Sequence, residues 1–312
     1  MSMKFARAAL VAALGLAIIG CGKEDAAGTS PTAAVVAPAT PDGVIVAAAK
    51  NLKAGNIDAL IQSALPPEEY AKVKADWAKE MNETPASDEE KAKFAENMTK
   101  LTASDAEDKL WAELEPKLKE MDAQMAQQMP MMVAMGKGVI QSSIQQNQDL
   151  NDAQKQQASQ FVDALGNWVQ SAKFTDPELA KKSIKIVCDT ARKINLKTLD
   201  EARALSYEQA MQKIGVGFLG LKDVLALYGF SIDKTLDSIK AETVSSDAAT
   251  AKVKVSYTVF DTALTAESDL VKVGDRWYGK EMMDSLKKHK EGAAAPAAPA
   301  EGETAPAPAS NG

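Results

Sequence analysis

Apolar positions along this chain recur at helical spacing for most of its length and switch to strict alternation near the end. The 3.6-residue period predicts helices over 43–64, 67–81, 88–100, 105–129, 152–172, 177–193, 199–204 and 207–228. Start signals support them. Ser87 with Glu90, Ser104 with Glu107, Thr198 with Glu201 and Ser206 with Gln209 have the spacing of capping boxes. Asp176 precedes Pro177, an N-cap before a proline at the first helical position. Gly229 suits a helix stop. Pro116 and Pro130 are expected to kink or split the fourth helix, since proline removes a backbone donor and crowds the preceding turn. From 250 to 260 the period becomes two: Val253, Val255, Tyr257 and Val259 alternate with Lys252, Lys254, Ser256 and Thr258. Neighbouring strands are predicted at 239–246, 264–273 and 276–281, with Gly274 and Asp275 as a hairpin turn. A short helix over 283–290 closes the pattern. The fold class is therefore α+β, mostly helical, with a C-terminal antiparallel sheet of about four strands. The helical region is 42–235 and the sheet region 236–290.

The first residues carry Lys4 and Arg7 and no acid, and an apolar run extends from Ala8 to Gly20. A spanning helix needs ~20 apolar residues, so this run suits the core of a secretory signal over 1–20. It ends in Ile18, Ile19, Gly20 and Cys21. This resembles the bacterial lipobox. The resemblance implies cleavage before Cys21, a diacylglyceryl group on its sulfur and acylation of the new amino terminus. Each buried methylene contributes ~0.8 kcal/mol, so several chains would make release from a bilayer very slow. Gly22 stands where aspartate retains such lipoproteins in the inner membrane of enteric bacteria, which implies the outer membrane, facing the periplasm. Residues 21–41, with Pro31, Pro38 and Pro41, read as the lipidated cysteine and a flexible tether, and 291–312 as a disordered Ala/Pro-rich tail.

Loss of the leader removes two of 36 basic side chains and none of 43 acidic ones, moving the formal charge from −7 to −9. Such a chain is repelled by nucleic acid, and no nucleic-acid partner is expected. The expected partners are the lipid bilayer, through acylated Cys21, and an envelope protein. Cys188 would be the one thiol left, so stability must come from a packed core. Its neighbours Ile184, Ile186 and Val187 suggest burial.

Two segments resemble the small bacterial lipoproteins with a cystatin-like or nuclear-transport-factor-two-like cone fold. One, Val44 to Ala64, contains the run Ala48 to Leu60; the other, Ser268 to Tyr278, contains Lys272, Val273, Gly274, Arg276 and Trp277. The resemblance implies an opening helix across a curved sheet, with a cavity that Trp277 and Tyr278 would border; buried aromatic packing is the first expectation for both. This chain departs from the group by a very long helical stretch between the two matches.

Few residues offer chemistry. The sole histidine, His289, sits among Lys287, Lys288 and Lys290, a setting for a solvated ring. No catalytic constellation is expected, since histidine-based triads need an orienting acid and shelter. No cofactor is expected either. Gly215, Gly217 and Gly220 have the spacing of a dinucleotide-binding loop, but they follow a helix already under way rather than a strand. Close packing through small residues is the expected reading, with Ile214, Phe218, Leu221, Leu225 and Tyr228 as the apolar face. Acidic pairs such as Glu68 with Glu69 suit solvated helix faces.

The unusual feature is methionine: Met121, Met125, Met129, Met131, Met132 and Met135. Leu110, Leu114, Leu118, Met121 and Met125 continue one apolar stripe, so core packing is the first expectation. A partner or lipid groove is the second, since thioether side chains adapt to varied surfaces. Binding of copper(I) or silver(I) by Met121, Met125, Met129 and Met132 is the third, thioethers being soft ligands. Together these features point to a membrane-anchored envelope lipoprotein of binding or structural type, not an enzyme. A periplasmic soft-metal handler is the alternative.

Overall fold

The computed structural model describes residues 38–294 except Asp149. The leader, Cys21, most of the tether and most of the tail lie outside the described residues.

The chain opens with α1 (Pro41–Lys53), capped by Thr40, whose hydroxyl accepts from Gly43 N. It turns at Gly55, φ 71°, into α2 (Ile57–Ala64), so the single helix expected over 43–64 is two. Then come α3 (Pro67–Asn82), α4 (Asp88–Thr102) and α5 (Ala106–Gln146). The antiparallel return is α6 (Asp152–Ser171), followed by α7 (Pro177–Ile194), α8 (Leu199–Arg203), α9 (Tyr207–Leu227) and α10 (Ile232–Asp237). Capping boxes form at Ser87, Thr198 and Ser206 as the spacing predicts, and one more at Asn151. The Ser104 box does not form: α5 starts after Asp105. Helix α10, capped by Ser231, has no counterpart in the sequence reading.

The sheet is a four-strand antiparallel meander, in the order β1 (Lys240–Ser246), β2 (Thr250–Val259), β3 (Thr262–Val273), β4 (Arg276–Gly279). A register shift between Thr243 and Ser245 makes a bulge on the edge strand β1, and Val244 there is exposed. Such bulges blunt an edge against pairing with other chains. Helix α11 (Lys280–Ala294) follows, extending past the expected 283–290 into the residues read as tail.

Two cores hold the fold. On the sheet, Ala251, Val253, Val255, Leu270 and Trp277 are buried beneath Val44 and Ile45 of α1. Among the helices, Leu52, Ile57, Leu60, Tyr207, Ala210, Met211 and Leu236 form the second. Helix α1 joins the two, its first turn (Val44, Ile45) on the sheet and its later turns (Ala48, Leu52) among the helices. The glycines of α9 act in packing: a Cβ at Gly215 would strike the Gly55 carbonyl, and one at Gly220 would strike Thr190. These positions lie inside a helix with helical residues before them, which removes the strand-to-helix loop that a dinucleotide site requires. The apolar face expected on α9 is partly wrong. Leu221 and Ile214 are exposed, whereas Met211, Gly215 and Lys222 face inward. Lys222 manages burial by donating to Lys53 O at 2.8 Å and pairing with Asp233.

The β2–β3 connection is a two-residue turn, Phe260 and Asp261, between the paired Val259 and Thr262. Both turn residues are left-handed, φ 50° and 58°, the geometry of a type I′ turn. Phenylalanine is unfavourable there. Its ring compensates through contacts: it lies 4.5 Å from Phe230 and stacks at 5.2 Å on Trp168, centroid to centroid.

Candidate functional site

Helix α5 carries the methionines. Its first turns are held firmly. Arg192 of α7 forks onto Glu107 with contacts of 2.5 and 2.9 Å and also donates to Ala103 O at 2.8 Å. The guanidinium holds the Glu107 carboxyl down at about 2, below the usual carboxylate range. Lys181 lies over the Trp111 ring at 4.8 Å, and Thr175 donates to Asp122 at 2.5 Å. Leu118 is buried, so the apolar stripe begins as a core stripe should.

Beyond Leu118 the stripe loses its cover. Met121 is 45% exposed, Met131 69%, Met132 64%, Met135 67% and Val139 68%. The core-packing expectation fails for these four methionines. The reason is tertiary: past Asp122 the helix has one close neighbour, α6, and a helix packed on one side leaves its other side in solvent. The inner face is Met129, Val133, Lys137, Gln141 and Ile144, all half-buried. Lys137 pairs with Asp163 of α6 at 2.7 Å and Gln141 donates to the same carboxylate at 3.1 Å. Val133 and Lys137 cross α6 at Gly166, where a Cβ would crowd both. Helix α5 is continuous through Pro116 and Pro130, contrary to the split expected there. Pro130 lies on the exposed side, where its ring costs one backbone hydrogen bond but meets no packed neighbour helix.

From Ala123 to Gln146 Lys137 is the single charged residue, in a chain that is 25% charged. Since Lys137 faces Asp163, the outer face presents thioethers, Val139, Ile140, glutamines and two open glycines, with no formal charge. As for soft metal, a rise of ~1.5 Å per residue sets Met121 and Met132 ~16 Å apart along the axis. One ion cannot bind both. Only residues about one turn apart can share an ion, as Met121 with Met125, Met125 with Met129, or Met129 with Met132.

The other candidates fall elsewhere. Cys188 is fully buried, and burial pushes its thiol up, away from the reactive thiolate. Trp277 and Tyr278 are core residues, not pocket walls. His289 is exposed on α11, its Nδ1 3.0 Å from Ser285 O. Among the described residues no group of His, Cys, Asp and Glu is placed to hold a metal ion, and no helix is long and apolar enough to cross a membrane.

Two shallow clefts escaped the sequence reading. One, of about 490 Å³, lies between the C-terminal ends of α4 and α7, beside Met98, Thr102, Arg192 and Lys197. The other, of about 300 Å³, lies between α6 and β2, lined by Gln154, Gln157, Ala158, Phe161 and Tyr257. The only signal for the second was the aromatic content of otherwise unrelated segments, which folding gathers into one cluster of Phe161, Trp168, Phe174, Tyr228, Phe230 and Phe260. Compared with protein-family models, curated proteins and solved structures, the chain matches none.

Proposed function

We propose that this chain is a lipid-anchored envelope protein whose folded part works by docking to protein through the uncharged outer face of α5. The observation that carries the docking is the row of exposed Met121, Met131, Met132, Met135 and Val139. Met131, Met132, Met135 and Val139 stand on successive turns, a surface that a folded chain has no use for in water, and contiguous patches of this kind mark interaction surfaces. Methionine suits the role because it repacks without fixed geometry. The anchor rests on the leader sequence and Cys21 alone. On this reading acyl chains hold the protein at the periplasmic face of the outer membrane, and the tether gives the docking face reach.

The test has two arms. Cys21→Ala is expected to move the protein from the membrane fraction to the soluble fraction of cells; unchanged fractionation would remove the anchor. A photo-crosslinking residue at Met135 is expected to give discrete protein adducts in cells, and one at exposed Lys182 of α7 is not. No adduct from Met135 would remove the docking role. The second reading, soft-metal handling, rests on the Met121/Met125 spacing of one helical turn. It requires copper(I) binding that is lost when Met121, Met125, Met129 and Met132 are changed to Leu together.

A further inference from the structure

We propose that Met131, Met132 and Met135 of α5 form a modification site, where a peroxide converts the thioethers to sulfoxides and so closes the docking face. The modification stands on the sulfur atoms themselves; its effect on docking rests on the reading above.

Exposure selects the site. Met131 is 69% exposed, Met132 64% and Met135 67%. Among the described residues every methionine with an exposed side chain lies on α5; the others are half-buried, and Met211 is 3% exposed. A thioether reacts through a sulfur lone pair, which must be reached from solvent. Spacing makes one site of the three. Met135 stands three residues from Met132 and four from Met131, within one turn of the helix. Gly136 and Gly138 leave the approach beside Met135 open, since a Cβ at either would meet nothing within 4 Å. No cysteine competes among the described residues. Cys188 is fully buried, and burial keeps its thiol protonated and inert.

Position separates modification from damage. Oxidation of a core methionine sets a polar group into packed surroundings and disrupts them. Here the packed side of α5 is Met129, Val133, Lys137 and Gln141, and the three methionines lie outside it. The added oxygens meet water, and the Lys137 pair with Asp163 at 2.7 Å stays in place. Exposed sulfoxides also stay within reach of a reductase, which makes the change reversible.

Hydrogen peroxide balances the step. A sulfur lone pair attacks one peroxide oxygen; the S–O bond forms as the O–O bond breaks. The transferred oxygen gives its proton to the departing hydroxide, which leaves as water. Sulfur loses two electrons and the peroxide gains them. The oxidant is uncharged, so the net acidic chain does not repel it.

The product reverses the character of the face. Each sulfoxide presents a strongly polar oxygen that requires a donor or water. A partner packed on thioethers would have to bury those oxygens unpaired, at a cost that opposes docking. By linkage, a seated partner shields the same sulfurs from oxidation.

The experiment treats the full chain with dilute hydrogen peroxide and follows each methionine by peptide mass spectrometry. Met131, Met132 and Met135 are expected to oxidise at least about tenfold faster than Met211, with the thermal melt by circular dichroism unchanged. Equal rates, or a melting temperature that falls as these three oxidise, would overturn the modification site. Closure is read in cells from a photo-crosslinking residue at Val139. Peroxide is expected to lower its protein adducts at least about fivefold. With Met131, Met132 and Met135 all changed to Leu, the adducts are expected to stay within about twofold, with or without peroxide. Adducts that persist in the oxidised parent chain, or that fall equally in the leucine variant, overturn closure. No adduct from Val139 before peroxide removes the docking reading and closure with it, while the mass spectra alone decide the modification.

Discussion

Single residues in this chain separate into those whose space is filled and those whose space is open, and glycine shows the difference best. Gly215 touches the Gly55 backbone, so Gly215→Ala forces rigid atoms together and is expected to cost about 2–3 kcal/mol in urea unfolding. Gly136 has no neighbour, so Gly136→Ala is expected to stabilise the dilute protein by about 0.5–1 kcal/mol through helix propensity alone. Both glycines lie inside helices, and the sequence does not tell them apart. Charge behaves similarly. Glu107 was legible as the third residue of a capping box, yet it serves instead as the Arg192 partner, a contact between α5 and α7 across 85 residues of chain. Its folded carboxyl is held near 2, below the ordinary ~4.3 of an unfolded glutamate. A depressed carboxylate stabilises the fold fully above the unfolded value and loses that contribution as pH falls through the folded one. Melting temperature should therefore fall between about pH 4.3 and 2, and Glu107→Gln should flatten that part of the profile. An unchanged slope in the variant would mean that the pair does not couple to folding.

Among the elements, caps were the most legible feature because they are local. Four side-chain caps read from short spacings (Ser87, Asp176, Thr198 and Ser206) form as expected, each satisfying backbone donors within a few residues. Elements decided by distant contacts were not legible. Helix α5 runs through two prolines because its ends are clamped, to α7 at Glu107 and to α6 at Lys137, and one lost hydrogen bond per proline does not outweigh them. The β2–β3 turn shows the same competition within one residue. Left-handed Phe260 costs ~1–3 kcal/mol. Its ring contacts with Trp168 and Phe230 offset that, since removing a phenylalanine ring from packed surroundings costs ~3–5 kcal/mol when fully buried and about half of that at this half-buried site. Phe260→Gly, which frees the backbone and deletes the ring, is therefore expected to keep stability within about 1 kcal/mol. A gain beyond that would show that the strain outweighs the cluster.

For the molecule as a whole, the buried thiol reports cooperativity. Cys188 lies on α7, which packs against α4, α5 and α9, so exposing it requires much of the helical region to open. A thiol reagent should leave the native chain unmodified over a time in which the urea-unfolded chain reacts completely. Rapid native labelling would place α7 in a locally opening unit. The same scale explains the methionine face. Helices α6 and α7 cover one side of α5, and no described element covers the other, so the outer side is left exposed.

The sequence by itself determined the class, the order of elements, most caps and the alternation of β2, because each depends on residues within one or two turns of one another. The proposed leader and lipidated Cys21 are likewise read from contiguous residues alone. Tertiary structure alone decided which faces of α5 and α9 meet the core, how far α5 continues, and which glycines are crowded. An apolar stripe states that burial is favourable and leaves open what does the burying. Along α5 the answer changes near Met121, past which α6 alone packs on the helix and the stripe goes on.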